Sequence, residues 1–350
     1  MQIFLCISSF FYRLFPMNNA KKYHDMSFWQ SDSWKNILEQ SWQALHVESI
    51  ECSWLRMLIE FRQIWLAQIW AFSLGVDIER IDKQCIIEAM SLAKKHGALF
   101  WQVEYMNNAG SLTKEMYEWN SPYRHFLEPY TRTLDLTIRT DALLAQMHEK
   151  WRYNIRLAMK RGVTVGWVDV NAENIDIWMS LLAQTTSRDR FAHNSRVYYE
   201  TFLRERTNVE LAFAYYKGHV IAAGIFVYLG ERAIYYYGAS SSDAETRKHM
   251  APYLLQWHAI EEGKRRGCTL YDFLWIASSH ARDHHLAWVT AFKEKFGGDI
   301  VELGPKILYP LSWKYWIFLC VRKMKKLVAL HYQKFILAHV HRLSYRRKRR

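Results

Sequence analysis

The sequence predicts an α+β fold in which helices pack on largely antiparallel sheets. Segments with helical periodicity and short strand-like segments follow one another in a mixed order rather than in a regular strand–helix repeat. Two apolar strands meet at Lys217-Gly218, which is the signal of an antiparallel hairpin. The 350 residues, 50% of them apolar, are enough for two domains with substantial cores.

The first half of the chain alternates predicted helices with predicted strands. The helices span 33–40 and 82–96, and the strands span 99–104 and 133–138. Ser31 or Asp32 caps the first helix, and Gly97 ends the second. The apolar segment 58–72 is compatible with strands or with a helix, because periodicity alone does not separate the two.

A helix that is capped by Thr140 or Asp141 leads into the most distinctive segment of the chain, 147–162. At four-residue spacing this segment predicts an apolar stripe of Met147, Trp151, Ile155 and Met159 beside a basic stripe of Arg152, Arg156 and Lys160. Gly162 ends the helix. The apolar stripe is expected to pack, and the basic stripe is either a solvated face or a surface for an anionic partner.

The second half contributes most of the strands. The predicted strands span 163–168, 209–216, 220–228, 232–237 and 270–275, and the predicted helices span 172–186, 195–205 and 252–266. This order resembles the GNAT acetyltransferase fold, in which a glycine-rich turn before the long helix binds the pyrophosphate of acetyl-CoA through backbone N–H groups. Residues 246–253 contain no glycine, and Pro252 lacks an N–H. We therefore expect that coenzyme A is not the acyl donor.

Basic charge is concentrated at the C-terminus. The net charge is +13, but residues 311–350 hold twelve Lys or Arg and no Asp or Glu, which leaves +1 for the rest. As a helix, 313–340 has one apolar face with Ile317, Cys320, Val321, Met324, Leu327, Val328 and His331, and one basic face with Arg322, Lys323, Lys326 and Lys334. With the polybasic end 345–350, this basic tail is predicted to lie on an anionic membrane surface. The alternatives are a clamp on a nucleic-acid backbone and a helix docked on the first domain.

Neither the cysteines nor the N-terminus indicates an exported protein. The cysteines are far apart and form no CxxC pair, which predicts reduced thiols rather than a disulfide framework or a zinc site. They are Cys6, Cys52, Cys85, Cys268 and Cys320. The apolar segment 1–17 is interrupted by Arg13, and no other stretch reaches about 18 uncharged apolar residues. We therefore expect a cytoplasmic protein without a transmembrane helix.

Four stretches of the chain form a family pattern. They are KWRYNIRLAMKRGV at 150–163, YYYGASS with the following MAPYLLQW at 235–257, EGKRRGCTLYDF at 262–273 and VTAFKEKFGG at 289–298. In this order they resemble the Fem (FemABX-type) family of non-ribosomal aminoacyl transferases, and weaker matches occur at 28–34 and 186–191. The resemblance implies two GNAT-like domains, the second without coenzyme A, with mixed sheets flanked by helices. No charged heptad insertion is present, so the chain resembles the members that lack a coiled-coil arm.

The resemblance places the first GNAT-like domain at 20–146, the second at 147–310 and the basic tail at 311–350. It implies a tRNA-dependent aminoacyl transferase of peptidoglycan cross-bridge synthesis at the inner face of the cytoplasmic membrane. The donor would be aminoacyl-tRNA, the acceptor would be the stem-peptide amine of lipid II or UDP-MurNAc-pentapeptide, and no cofactor is expected. The alternatives are a GNAT-fold N-acyltransferase acting on a polysaccharide or amine, and a non-catalytic relative.

By the same resemblance, Lys293, preceded by Phe292, is the catalytic candidate. It is expected to stabilise the oxyanion that forms when an amine attacks an ester, and the alternative is an ordinary exposed lysine. Trp288 and His285 replace a glycine and a proline of the family pattern, and Trp288 is expected to narrow the donor groove. The histidine group before Lys293 lacks a second set of ligands, so no metal site is expected at His280, His284 and His285.

Five further residues are candidates for substrate binding. The resemblance suggests Lys35, Arg188 and Tyr237 for the acceptor, where a cation would pair with a diphosphate. The alternatives are a helix cap for Arg188 and a core position for Tyr237. Arg152 and Arg156 are candidates for a substrate phosphate or the tRNA backbone, although we prefer pairing with carboxylates between the domains.

Overall fold

The computed structural model describes residues 27–52, 56–64, 68–107, 122–205, 207–277, 286–325 and 327–328. Its helices are α1 (Asp32–Gln40), α2 (Lys83–Lys95), α3 (Thr140–Ala145), α4 (Glu149–Lys160), α5 (Ala172–Asp189), α6 (Arg196–Arg204), α7 (Ala244–Arg247), α8 (Ala251–Arg265) and α9 (Ala287–Glu294). Its strands are β1 (His46–Glu51), β2 (Arg56–Gln63), β3 (Ile69–Val76), β4 (Ala98–Tyr105), β5 (Tyr130–Asp135), β6 (Thr164–Val168), β7 (Val209–Tyr216), β8 (His219–Leu229), β9 (Arg232–Ser240), β10 (Leu270–Asp272), β11 (Asp299–Glu302) and β12 (Lys306–Pro310). Residues 314–325 form a further, C-terminal helix.

These elements build two mixed sheets, which confirms the α+β class. The first sheet has the order β1-β2-β3-β4-β12, and the second has the order β11-β5-β10-β9-β8-β7-β6. The neighbours β3 and β4 are parallel in the first sheet, as are β9 and β10 in the second. The remaining neighbours of both sheets are antiparallel.

Each sheet contains one strand from the other predicted domain. We placed the boundaries at 146/147 and 310/311, but β5 already belongs to the second sheet, where it pairs with β10 and β11. Conversely, β12 returns to the first sheet and pairs with β4, with Leu308 opposite Gln102. Strand pairing therefore groups β5 with the second sheet and β12 with the first.

Local signals located most elements correctly and misplaced a few. Ser31 caps α1 by accepting a hydrogen bond from the backbone N–H of Trp34 at 3.2 Å. The ambiguous segment 58–72 falls in two antiparallel strands, β2 and β3. The helix predicted from Thr140 is α3, with Arg139 rather than Thr140 or Asp141 at its N-cap position, and the helix predicted at 147–162 is α4, which begins after His148, whose Nδ1 caps it. Strands β1, β11 and β12 and helices α7 and α9 were not predicted.

Three apolar cores hold the fold together. One lies between the domains and combines α1 and both sheets with α5 and α6. The second packs α4 and α8 on the opposite face of the second sheet, and the third packs α2 on the first sheet. Across the first core, Trp29 Nε1 donates a hydrogen bond to Tyr236 Oη at 2.8 Å. This shared core fixes the second sheet, and thus the site described below, relative to the first domain.

The prediction of reduced thiols is wrong for one pair. Cys52, which follows β1, and Cys85 in α2 form a disulfide with their Cα atoms 5.4 Å apart. The packing of α2 on β1 brings together two residues that are 33 positions apart, which spacing along the chain does not reveal. Cys268 and Cys320 are free thiols. Among the described residues, no helix has the length and apolar character that crossing a bilayer requires.

Candidate functional site

The parallel strands β9 and β10 part halfway along β9, and this opening is the candidate site. They pair only from Arg232 opposite Leu270 to Ile234 opposite Asp272. Beyond that point β10 has ended, whereas β9 continues to Ser240. On its β10 side, the second half of β9, residues 235–240, has no partner strand among the described residues, although it pairs with β8 on the other side. This unpaired half of β9 therefore lines a gap in the sheet where a substrate group can reach backbone and side chains.

Lys293 lies beside this opening and is buried, with only 6% of its surface exposed. This excludes the alternative of an ordinary exposed lysine. Its ammonium donates hydrogen bonds to the carbonyl oxygens of Leu274 at 3.1 Å and Trp275 at 3.0 Å. Nζ also lies 5.8 Å from the ring centre of Tyr235, the first residue of the unpaired half of β9. Burial lowers the pKa of Lys293 to about 7, while the Asp272 carboxylate acts in the opposite direction.

A strained turn after β10 presents the two carbonyls to Lys293. Leu274 has a φ of +53°, a left-handed conformation that costs a non-glycine residue free energy. The buried carboxylate of Asp272 stabilises the turn, because its Oδ1 accepts hydrogen bonds from the backbone N–H of Leu274 at 2.8 Å and from Thr131 Oγ1 at 2.5 Å. Sequence analysis assigned no role to Asp272, although its position in the YDF stretch at the end of a strand was a usable signal.

Helix α9 positions Lys293 and is itself fixed at several points. Thr290 Oγ1 accepts a hydrogen bond from the backbone N–H of Ala277 at 2.7 Å. The carbonyl of Phe292 accepts one from Trp151 Nε1 at 3.1 Å, and its ring packs against Tyr253 of α8 with ring centres 5.4 Å apart. Phe292 therefore anchors α9 to α4 and α8 on the side of the apolar core.

Tyr237 lies in the same half of β9, and Arg188 of α5 contacts the end of this strand. Tyr237 Oη lies 3.0 Å from Tyr198 Oη and accepts a hydrogen bond from Asn194 Nδ2 at 3.3 Å. Burial raises the pKa of Tyr237, so the phenol stays protonated at neutral pH. Arg188 Nη1 donates to the carbonyl oxygen of Ser241 at 3.1 Å, just beyond the end of β9.

Arg188 is also occupied by its neighbour, since its Nε and Nη2 form a bidentate pair with the two carboxylate oxygens of Asp189, both at 2.8 Å. Lys293 thus contacts Tyr235 on the α4–α8 side of the sheet, whereas Tyr237 and Arg188 contact residues on its α5–α6 side. Lys35 is half-buried on α1, in the first domain, and makes no hydrogen bond, ion pair or ring contact with these three candidate residues.

The basic stripe of α4 does not pair with carboxylates as we preferred. Arg152 Nη1 donates instead to the backbone carbonyls of Ala145, at 3.1 Å, and Met147, and so closes the end of α3. Arg156 is exposed. The apolar residues of the helix connect to the site instead, through Trp151 on Phe292 and through the buried Asn154, which hydrogen-bonds to Tyr253.

Trp288 does not pack against the residues of the β9–β10 opening. It lies in the first turn of α9 with 86% of its surface exposed, because the helix directs it away from Lys293. The histidines His280, His284 and His285 lie outside the described residues.

A shallow cleft of about 500 Å³ is found at the edge between β5 and β11, lined by Arg132, Gln146, His148, Glu294, Lys295, Gly297, Gly298 and Asp299. Lys293 does not line it, so we place the chemistry at the β9–β10 opening.

Sequence comparison identifies the family to which the chain belongs. The FemAB family matches residues 110–217 and 204–323, together more than half of the chain. The curated aminoacyltransferase FemA of Staphylococcus epidermidis is 28% identical over 107 residues, which is 30% of this chain and 25% of that protein. The match therefore spans about a quarter of the length of this relative.

Structural comparison extends the likeness to the whole fold. The crystal structure of FemX covers 87% of this chain and 98% of its own length, with a TM-score of 0.72 and 16% identity. The C-terminal domain of a putative lysylphosphatidylglycerol synthetase from Agrobacterium fabrum covers 86% and 94%, with a TM-score of 0.55 and 13% identity. At these identities the likeness concerns the fold, and with the two helix-flanked mixed sheets it confirms the tandem GNAT-like architecture.

Proposed function

Because the chain belongs to the FemAB family, we propose that it is a tRNA-dependent aminoacyl transferase of peptidoglycan synthesis. The acceptor would be the stem-peptide amine of lipid II or of UDP-MurNAc-pentapeptide, and no coenzyme A takes part. The observation that supports this most is the buried Lys293 beside the unpaired half of β9. A buried cation beside an opening in a sheet is suited to charge that develops on a carbonyl oxygen.

The reaction proposed is the aminolysis of an ester. The acceptor nitrogen attacks the aminoacyl carbonyl, the C–N bond forms, and the bond from that carbon to the ribose oxygen of the tRNA breaks. The attacking amine loses a proton and the leaving ribose oxygen gains one, so the step is balanced. In the protonated form of Lys293, two N–H donors are directed to Leu274 and Trp275, and the third is assigned to the oxyanion.

We propose supporting roles for the other candidates. Asp272 is a positioning residue, since it holds the turn whose carbonyls orient Lys293. Tyr237 would contact the acceptor as a neutral phenol from the unpaired half of β9. Arg188 and Lys35 remain proposals for the acceptor diphosphate, and Arg188 would exchange its hydrogen bonds to Asp189 for the phosphate oxygens.

The assay that tests the function mixes the purified chain with aminoacyl-tRNAs and either acceptor, and follows the acceptor mass. We expect the acceptor to gain the mass of one or more amino-acid residues only with charged tRNA. Acetyl-CoA with polysaccharide or amine acceptors tests the N-acyltransferase alternative. Phosphatidylglycerol is a further acceptor to include, given the fold shared with the lysylphosphatidylglycerol synthetase domain. No transfer from any charged tRNA to either muropeptide would overturn the proposal.

The C-terminal helix supports the proposed location on the inner face of the membrane. One side of it docks on the first domain: Tyr315 is buried, and Arg322 Nη2 donates to the carbonyl of Tyr123 at 3.0 Å. The outward side is an exposed apolar stripe at helical spacing, formed by Trp313, Trp316, Ile317, Met324, Leu327 and Val328. Exposed aromatic and aliphatic side chains beside a basic tail are suited to an anionic bilayer surface.

We expect the double variant Trp316→Glu/Ile317→Glu to lose binding to phosphatidylglycerol-containing vesicles at least about tenfold, since each of these side chains contributes roughly 1.5–3 kcal/mol when buried in an apolar phase. Cosedimentation at low salt measures this. The matched control is Trp42→Glu/Ile87→Glu, which changes an exposed Trp and an exposed Ile elsewhere on the first domain. Equal binding by the outward-stripe variant and the control would contradict the membrane role.

A further inference from the structure

A compact group of potential metal ligands lies at the edge of the first sheet, in the first domain. His46 and Glu48 are two residues apart on the edge strand β1 and therefore point to the same face. His96 follows the last turn of α2, which packs against β1. Two elements that are distant in sequence thus deliver two imidazoles and one carboxylate to one point.

The ligand atoms converge closely. His96 Nε2 lies 2.6 Å and His46 Nε2 lies 3.7 Å from the same oxygen, Glu48 Oε1, and one potential ligand atom from each of the three residues falls within 4.8 Å of the others. A tetrahedral zinc ion with bonds of about 2.0–2.1 Å separates its ligand atoms by about 3.4 Å. Small rotations of the His96 and Glu48 side chains would therefore admit the ion.

Neither imidazole nitrogen is satisfied by an ordinary hydrogen bond, although His96 Nε2 contacts the Glu48 carboxylate. His46 Nε2 and His96 Nε2 are both buried, and neither makes a hydrogen bond of acceptable geometry within the part of the chain that the structure describes. Buried polar atoms in native proteins are nearly always hydrogen-bonded, so two nitrogens that approach one carboxylate without a well-formed hydrogen bond indicate a place suited to a cation. A cation between the three side chains satisfies both nitrogens and the carboxylate at once.

The ring of Phe61 fixes the orientation of both imidazole rings. The His46 ring stacks on Phe61, with ring centres 4.3 Å apart and an interplanar angle of 10°. The His96 ring packs on the same Phe61 at 4.5 Å. Because Phe61 lies opposite His46 in the β1–β2 pairing, the sheet register itself sets the position of the site. The ligands are thus held by the fold rather than by flexible loops.

We propose that His46, Glu48 and His96 bind a divalent transition metal of the zinc class in a His₂Glu site. The fourth ligand would be water, because the three side chains are partly exposed, at 26–38%. The ion holds the C-terminal end of α2 on the start of β1. The Cys52–Cys85 disulfide joins the other end of the same pair of elements, so α2 is attached to the sheet edge at both ends. This inference is independent of the proposed transferase activity.

The test uses the full chain, stripped with a chelator and titrated with Zn²⁺ at micromolar concentration. Glu48→Gln and His96→Phe are the variants, because the first keeps the side-chain size and the second keeps a ring on Phe61. His219→Phe, which alters an exposed histidine at the β7–β8 hairpin, is the matched control. Other histidines of the chain add to the total, so the readout is the difference in bound equivalents between proteins.

We expect the wild-type chain and the control to bind one more equivalent of zinc than either variant, and their Tm to rise with zinc by more than that of the variants. Co²⁺ should give the visible absorption of four-coordinate cobalt in the wild type and lose it in both variants. Equal zinc stoichiometry in the wild type, Glu48→Gln and His96→Phe would overturn the proposal. So would an unchanged cobalt spectrum in the variants.

Discussion

Replacing Lys293 with Met is expected to lower the rate constant of amino-acid transfer by on the order of 10²–10³-fold, while the KM values for both substrates change little. The methionine fills a similar volume but offers no N–H donor to the oxyanion. Since that donor acts chiefly in the transition state, its loss should appear in kcat. Steady-state kinetics with charged tRNA and a soluble acceptor measures the effect.

The matched control for this prediction is Lys264→Met. Lys264 also donates to two backbone carbonyls, those of Leu136 at 2.8 Å and Ile138 at 2.6 Å, but it lies away from the β9–β10 opening. Its replacement tests whether losing a lysine that binds two carbonyls is itself harmful. Transfer by Lys293→Met within a few-fold of wild type would remove Lys293 from the catalytic role.

Lys293→Met should also differ from the wild type in the way its free energy of unfolding depends on pH. In the folded protein burial lowers the pKa of Lys293 to about 7, whereas the unfolded chain keeps the ordinary lysine value near 10.5. Between these two values the unfolded state binds more protons, so the free energy of unfolding of the wild type rises with pH. Relative to Lys293→Met, the wild type should gain up to about 1.4 kcal/mol per pH unit from pH 7 to 10. Parallel curves for the two proteins would contradict the lowered pKa.

Gly298→Ala is expected to destabilise the protein by about 3–5 kcal/mol, among the larger effects of a single substitution. Gly298 has a φ of +74°, and an added Cβ would lie 2.0 Å from the backbone oxygen of Thr133. The clash would separate β11 from β5 where Asp299 pairs with Thr133. It would also disturb the turn that Arg132 holds by donating to the carbonyls of Gly297 and Gly298. Chemical denaturation measures the loss.

Gly267→Ala is the control that separates the clash from backbone strain. Gly267 has a similar φ of +83°, but nothing lies within 4 Å of the position its Cβ would take. This variant should therefore lose only about 1–2 kcal/mol, the usual cost of a left-handed alanine. If both variants lose the same free energy, contact with Thr133 is not what requires glycine at 298.

Sequence patterns predicted the local parts of the fold and of the site. The cap at Ser31, the hairpin at Lys217-Gly218 and the long helix after Met250 depend on residues close together in the chain, so propensity and periodicity are sufficient. The family pattern selected Lys293. The pattern did not indicate that this lysine is buried. Its burial depends on the turn at Leu274, which forms because β10 ends at Asp272.

The sequence by itself determined the class of fold, the family and the catalytic candidate. Only the tertiary structure decided that β5 and β12 exchange sheets, that Cys52 meets Cys85, and that His46, Glu48 and His96 converge. The physical reason is the range of the interactions involved. Caps and turns are satisfied within a few residues, whereas strand pairing and helix docking depend on the summed burial of segments far apart in the chain.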